Sequence, residues 1–188
     1  MALQPRAALH QLTAMDEASF VRAMAVVSRP AQKECSLSQQ VRGASVQQLE
    51  KLLCALHKAS PELTKLWLND NQLVELPPAL GAFQALTTLC LHGNQLRKLP
   101  RDLNSLQELT RLFVGNNHLV QLPIFMVGLP KLNTLWLRNN PALGGEAQEY
   151  RGGDVNCALM TRGILATIAA SAVRRDVLSR ATTWALWP

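Results

Sequence analysis

The chain has 188 residues, of which 48% are hydrophobic and 17% charged, and its formal net charge is +6. This length fits one domain with extensions, and the composition excludes a disordered chain. The basic residues alternate with acidic ones and form no focused stripe, so the charge argues against nucleic-acid binding.

The N-terminal segment carries weak targeting signals. Its first twelve residues contain Arg6 and no acidic residue, which is typical of mitochondrial presequences, but Asp16 and Glu17 follow soon after. There is no apolar core of a secretory signal. The longest uncharged apolar stretch, 163–173, is shorter than the roughly twenty residues that cross a bilayer. We predict a soluble cytoplasmic protein, with mitochondrial targeting as the alternative.

Residues 1–44 are predicted to form an N-terminal helical extension that contains a helix over Met15–Val27. Residues 45–62 begin with a capping box, Ser45-Val46-Gln47-Gln48, which opens an amphipathic helix. The apolar face of this helix is formed by Val46, Leu49, Leu52, Leu53 and Leu56. We interpret it as the N-terminal cap, or as the outer side of a degenerate repeat whose strand lies near 37–41.

The middle of the chain, 63–143, repeats itself every twenty-three residues in four units. Each unit opens with a leucine, at Leu63, Leu86, Leu109 and Leu132. Each has an asparagine eight residues later, at Asn71, Asn94, Asn117 and Asn140. The first three share a proline, at Pro77, Pro100 and Pro123. Because one unit cannot bury its own leucines, stacking of neighbouring units creates the core.

Elementary geometry explains the repeated columns. In Leu66-Trp67-Leu68 the period is two, so the leucines face one side of a short strand and Trp67 faces the other. An asparagine amide can satisfy backbone groups in the turn that follows the strand. A proline on the outer side fixes φ without removing a ladder hydrogen bond. We therefore expect parallel strands on one side of the stack and the prolines on the other.

These columns resemble the intracellular class of the leucine-rich-repeat family, with the pattern LxxLxLxxNxLxxLPxxLxxLxx, from residue 63 to about 141. The resemblance implies an α/β solenoid, a short horseshoe with a parallel concave sheet and helical N- and C-terminal caps. Members of this family are scaffolds, enzyme regulators and ligase adaptors, including regulators of small GTPases and phosphatases. The resemblance is specific for fold and does not choose among these functions.

The last segment, 144–188, is predicted to be a C-terminal helical cap or extension. Asn156 is placed to cap a helix there. The stretch from Val173 is similar to the opening of an F-box, although Arg174 and Arg175 stand where that motif has Leu-Pro. The alternative function is therefore a ubiquitin-ligase-type substrate adaptor that uses the C-terminal helix.

The outward positions of the four strands are free to carry binding information. We expect a non-catalytic protein-interaction module, a scaffold or regulator, that binds a partner with an acidic surface through its concave face and flanking helices. The predicted partner-binding residues are Lys65, Trp67, Asn69, Asp70, Cys90, His92, Arg111, Phe113, Trp136 and Arg138. Four short strands offer a few hundred Å² against about 800 Å² in a standard interface, which is why the helices are included.

Catalysis is the rival interpretation. Cys90 and His92 point to the same side of one strand and Asp70 lies near the end of the preceding one, as nucleophile, base and orienter would. An open strand surface does not exclude water, so we predict no enzyme, no small-molecule substrate and no cofactor. The cysteines Cys35, Cys54, Cys90 and Cys157 lack metal-site spacing, and we expect reduced thiols without a metal.

Overall fold

The computed structural model describes residues 15–143. The presequence-like start, the predicted C-terminal helix and the F-box-like stretch lie outside the described residues. Two helices, α1 (Glu17–Val27) and α2 (Val46–Ala59), belong to the N-terminal part of the chain. Three short 3-10 helices follow at Pro78–Ala82, Arg101–Ser105 and Ile124–Gly128. In the described part of the chain, no helix is both long enough and apolar enough to cross a membrane.

Five three-residue strands form one parallel sheet in which the spatial order equals the chain order. They are β1 (Glu34–Ser36), β2 (Lys65–Trp67), β3 (Thr88–Cys90), β4 (Arg111–Phe113) and β5 (Thr134–Trp136). From β2 to β5 the register is the predicted repeat, because Leu66 pairs with Leu89, Leu89 with Leu112 and Leu112 with Leu135. Each step along the stack therefore advances the chain by one unit.

The strand of the degenerate first unit lies at Glu34–Ser36, so its expected position near 37–41 is wrong. Cys35 pairs with Leu66, thirty-one residues later, because the fourteen-residue helix α2 occupies the return path where later units have a five-residue 3-10 segment. Leu37 is buried directly after β1. The sheet consequently has five strands, one more than the repeat columns indicate.

Helix α2 is confirmed together with its capping box. The Ser45 hydroxyl accepts a hydrogen bond from the Gln48 backbone at 3.2 Å, and the Gln48 side chain accepts one from the Ser45 backbone at 2.9 Å. Four of the five predicted apolar residues are buried, namely Leu49, Leu52, Leu53 and Leu56. This helix packs against α1 and against the first 3-10 segment, so it continues the outer row of the stack.

The asparagine column stabilises the turns that follow the strands. The Asn94 Oδ1 atom accepts from the backbone of Asn71 at 3.2 Å and of Leu73 at 3.0 Å, and its Nδ2 donates to the Leu68 and Leu91 carbonyls, each at 2.9 Å. These groups lie in two successive units. One amide therefore satisfies buried backbone groups that would otherwise be unpaired, as the sequence predicts.

The prolines stand where the sequence places them, on the outer side of the stack. Pro77, Pro100 and Pro123 each precede a 3-10 segment in extended conformation, with φ of −77°, −69° and −74°. The leucines between these segments and the sheet form one core in which Leu66, Leu89 and Leu135 have no exposed surface. The opposite side of the sheet is the concave face, where the candidate site lies.

Candidate partner-binding face

The outward residues of neighbouring strands form a continuous column across the sheet. Strand pairing places Ser36 beside Trp67, Trp67 beside Cys90, Cys90 beside Phe113, and Phe113 beside Trp136. Side chains at matched positions of paired strands lie about 5 Å apart at Cβ, so this column is contiguous. The outward residues of β2 to β5 therefore form one column, and Ser36 of β1 extends it.

The column forms the floor of an open depression of about 570 Å³. Six of the ten predicted partner-binding residues line it, and they are Trp67, Asn69, Cys90, His92, Phe113 and Trp136. Ser36 and Ser38 complete the lining. Lys65, Asp70, Arg111 and Arg138 do not line the depression. No residue of the set is on the outer side of the stack.

The aromatic rings are concentrated at one end of this depression. Phe113 and Trp136 meet edge to face, with ring centroids 5.8 Å apart and planes at 70°. Trp136 is 36% exposed, whereas Trp67 and Phe113 are half-buried. A Cβ on Gly115 would lie 3.0 Å from the Arg138 carbonyl oxygen and 3.3 Å from the Trp136 indole, so the lack of a side chain at this position allows the ring to lie close to the β4 backbone. Gly115 is not among the ten predicted partner-binding residues.

Cys90, one of the ten predicted partner-binding residues, contributes almost no exposed surface to the concave face. Only 6% of the residue is accessible. Its side chain is small and lies between the larger Trp67 and Phe113 on the paired strands. The adjacent outward residue of β3, Thr88, is also buried, and Arg111 donates to its hydroxyl at 3.2 Å. The exposed aromatic surface of the column is therefore interrupted at β3, between Trp67 and Phe113.

A chain of polar contacts runs from β1 to β3, and we call it the concave polar chain. The Ser36 hydroxyl donates to Ser38 at 3.3 Å, and Ser38 donates to Asn69 Oδ1 at 2.6 Å. Asn69 Nδ2 donates to Asp70 Oδ2 at 2.8 Å. That carboxylate lies 3.6 Å from His92 Nε2, and His92 Nδ1 lies 3.0 Å from Cys90 Sγ. These polar groups are therefore already partnered before any ligand arrives.

Asp70 owes its residue type to the turn after the strand. The same position in each unit has left-handed backbone, with φ of +60° at Asp70, +68° at Gly93, +51° at Asn116 and +57° at Asn139. Glycine, asparagine and aspartate tolerate this conformation better than other residues. A Cβ at Gly93 would also lie 2.0 Å from Asp70 Oδ1. The Asp70 side chain therefore occupies the space that the missing side chain of Gly93 leaves, and both residues favour the left-handed turn.

The charged residues around the depression differ between the two halves of the face. We call β1 to β3 with their following turns the N-terminal half, and β4 and β5 with theirs the C-terminal half. In the N-terminal half, Lys65 pairs with Glu34, and the Asp70 carboxylate lies 3.6 Å from the His92 ring. In the C-terminal half, Arg111 and Arg138 are exposed and neither forms an ion pair with a described residue.

The geometry around Cys90 resembles a nucleophile, a base and an orienter, but its electrostatics do not activate the thiol. Burial raises the pKa of Cys90, the charge of Asp70 raises it further, and the hydrogen bond with the His92 backbone opposes this only in part. A protonated thiol is a poor nucleophile and a poor metal ligand. Within residues 15–143, no group of three His, Cys, Asp or Glu side chains could hold a metal ion, and Cys35, Cys54 and Cys90 are free thiols.

Comparison with known proteins identifies the repeats. Residues 61–108 match the family model described as Leucine Rich repeats (2 copies). No curated protein sequence matches the chain. Similar solved structures include a leucine-rich-repeat protein of Leptospira interrogans, at 26% identity over 63% of this chain and 34% of that one, with a TM-score of 0.44.

Two other similar structures are an internalin of Listeria monocytogenes and the BIR2 ectodomain of Arabidopsis thaliana. The internalin is 22% identical over 56% of this chain and 34% of its own, with a TM-score of 0.42. The ectodomain is 25% identical over 52% and 54%, with a TM-score of 0.38. This chain thus covers between a third and about half of the three solved chains. The matched repeats at residues 61–108 and the five stacked parallel strands show that the chain contains leucine-rich repeats and stacks them as a solenoid.

Proposed function

We propose that this chain is a non-catalytic protein-interaction module that binds its partner through the concave face. The observation that supports this most directly is the aromatic column, in which Trp136 stays exposed beside Phe113 although neither ring is needed in the leucine core. Exposed aromatic side chains next to arginine are the residue types that dominate binding hot spots. Leucine-rich-repeat domains commonly bind other proteins, which agrees with this proposal.

The dimensions of the face indicate what kind of partner fits. Five strands at about 4.8 Å spacing are about 19 Å wide, and three residues at about 3.3 Å are about 10 Å tall. This plan area is far below the roughly 800 Å² that a standard interface buries on each partner. Helix α2 packs on the outer row, away from the concave face. Of the two described helices, α1 shares a depression with the concave turns, where its start at Asp16 and Ser19 lies beside Gln39 and Gln72. An extended segment of the partner therefore fits better than a broad domain surface.

The proposal is tested by affinity capture with the intact chain, followed by calorimetric titration of the captured partner. Trp67→Ala and Trp136→Ala should each weaken binding by about 2 kcal/mol, which is typical of central aromatic anchors. Ile124→Ala is the matched control, because it removes an exposed apolar side chain (54% accessible) from the outer row. A partner that binds both tryptophan variants as tightly as the wild type would contradict the proposal.

The adaptor alternative depends on residues 173–188, which lie outside the described residues. It is separated from the main proposal by deleting those residues from the intact chain. Under our proposal the truncated chain keeps its affinity for the partner that Trp136→Ala loses. If the chain is an adaptor, the truncated chain still binds this first partner, which would be the substrate, and loses a second captured protein. A first protein that needs Trp136 and a second that needs residues 173–188 would therefore favour the adaptor.

A further inference from the structure

The C-terminal half of the concave face carries positive charge that the chain itself does not balance. Arg111 stands at the start of β4, and Arg138 follows β5 by two residues. Among residues 15–143, no carboxylate lies within ion-pair distance of either guanidinium. Lys65, the corresponding cation of the N-terminal half, already contacts Glu34. Among the described strand residues and those that follow the strands, the unpaired positive charge of the concave face therefore lies at β4 and β5.

The hydrogen-bonding capacity of these arginines is also mostly unused. Arg111 donates from Nε to the Thr88 hydroxyl at 3.2 Å, and this bond leaves its two terminal nitrogens available for a ligand. The Arg138 side chain has no hydrogen-bond partner in the described part of the chain. A guanidinium binds a carboxylate through two parallel hydrogen bonds, which no neutral group matches. Covering these groups with an apolar or basic partner would remove their hydration without replacement.

Arg111 and Arg138 are separated by a fixed distance along the strand direction, and the aromatic pair lies between them. Arg111 is aligned with Thr134, and Arg138 lies four residues beyond Thr134. Along an extended chain four residues correspond to about 13 Å, at about 3.3 Å per residue. Phe113 and Trp136 occupy the interval, in mutual contact. A ligand along this line meets positive charge, an aromatic surface and positive charge in succession.

We propose that the partner presents an extended protein segment with two acidic residues about four positions apart and an apolar residue between them, and that this segment binds across β4 and β5. The inference rests on the proposed function and names the partner class of the same face. Each carboxylate faces one arginine, and the apolar residue contacts Trp136. The concave polar chain contributes little, because its groups are already paired with each other.

A protein segment matches these charges better than a nucleic acid does. Among the residues of β1 to β3 the only cation, Lys65, is already paired with Glu34, so a phosphate backbone that continued over these strands would meet no free positive charge there. Nucleic-acid affinity also depends on many released counterions, and only two cations of this face are unpaired with described residues.

The test is a selection of random twelve-residue peptides on the intact 188-residue chain. The selected peptides are then titrated against the wild type and three charge-reversal variants. Arg111→Glu and Arg138→Glu should each lower affinity by about tenfold or more, which corresponds to about 1.4 kcal/mol. Arg101→Glu is the matched control, because this arginine is exposed on an outer 3-10 segment and its reversal makes the same change in net charge. Far-ultraviolet circular dichroism confirms that all variants are folded.

The outcomes separate the inference from the proposed function. Enrichment of paired acidic residues, with affinity lost in both arginine variants and kept in Arg101→Glu, supports the inference. Peptides that require Trp136 but show no acidic enrichment and tolerate both arginine changes would overturn it and leave the proposed function intact. Peptides that are indifferent to Trp67 and Trp136 as well would overturn both. The same variants are also titrated with a thymidine 20-mer. Binding of this DNA that requires Arg111 and Arg138 and that acidic peptides do not compete would show that the partner is a nucleic acid and would overturn the inference.

Discussion

At the scale of single residues, the asparagine column shows how strictly one side chain is determined by its surroundings. Asn94 is 5% exposed and bonds five backbone groups of two units through its two amide atoms. Aspartate could not donate to the carbonyls, and leucine could neither donate nor accept. This role was predictable from the sequence because the same residue recurs in every unit, four residues after the strand ends.

Replacement of Asn94 by alanine should therefore destabilise the fold strongly. Leaving a buried polar group unpaired costs about 1 to 3 kcal/mol, and several backbone groups lose their partner at once, so we expect a loss of about 3 kcal/mol or more. Urea denaturation followed by circular dichroism measures it. Asn104→Ala, at an exposed position of an outer 3-10 segment, should change the free energy of unfolding by less than about 0.5 kcal/mol. Equal effects at the two positions would show that the asparagine column is not structural.

Cys35 predicts a pH dependence of stability at the same scale. Burial raises the pKa of this thiol to about 11 from an ordinary value of 9.0. Because the folded-state pKa lies above the unfolded one, the neutral thiol contributes its stability fully below pH 9, and the contribution is lost as the pH rises toward 11. Between pH 9 and 11, the free energy of unfolding of the wild type should therefore decrease relative to that of Cys35→Ala. A difference that is constant from pH 8 to 11 would contradict the burial of an inert thiol.

At the scale of elements, the sequence predicts those that repeat better than those that do not. The twenty-three-residue period predicts the positions of β2 to β5, and the capping box predicts where α2 begins. Strand β1 was misplaced because its unit contains a helix of fourteen residues, so the period no longer applies. In Glu34-Cys35-Ser36 only the middle residue is apolar, and Leu37 and Val41 offered a stronger apolar signal nearby.

Helix α2 closes the core on the outer side of the first unit, and its removal should expose that core. Leu49, Leu53 and Leu56 of α2 pack against leucines of the core. Deletion of residues 45–62 should expose those core leucines to water, and we therefore expect the protein to aggregate. Size-exclusion chromatography reports this directly. Ser45→Ala is the control, since loss of the cap costs about 1 kcal/mol and leaves the helix in place. Elution of the deleted chain as a monomer with an unchanged melting temperature would mean that α2 is dispensable.

At the scale of the whole molecule, strand alternation was sufficient to predict which side chains share the concave face. It could not predict how that face divides into two halves. The pairing of Lys65 with Glu34 depends on β1, whose position was not readable, and the burial of Cys90 depends on its larger neighbours across the sheet. Contacts between strands that are distant in the chain set both features, and no local pattern encodes them.

The most direct test of the central claim is hydrogen exchange, followed by mass spectrometry, of the intact chain with and without its captured partner. Binding on the concave face predicts added protection in β2 to β5 and the turns that follow them, largest at β4 and β5, and no change in the outer segments 78–82, 101–105 and 124–128. Protection confined to those outer segments or to residues 144–188, with none at 111–116 and 134–139, would contradict a partner-binding concave face.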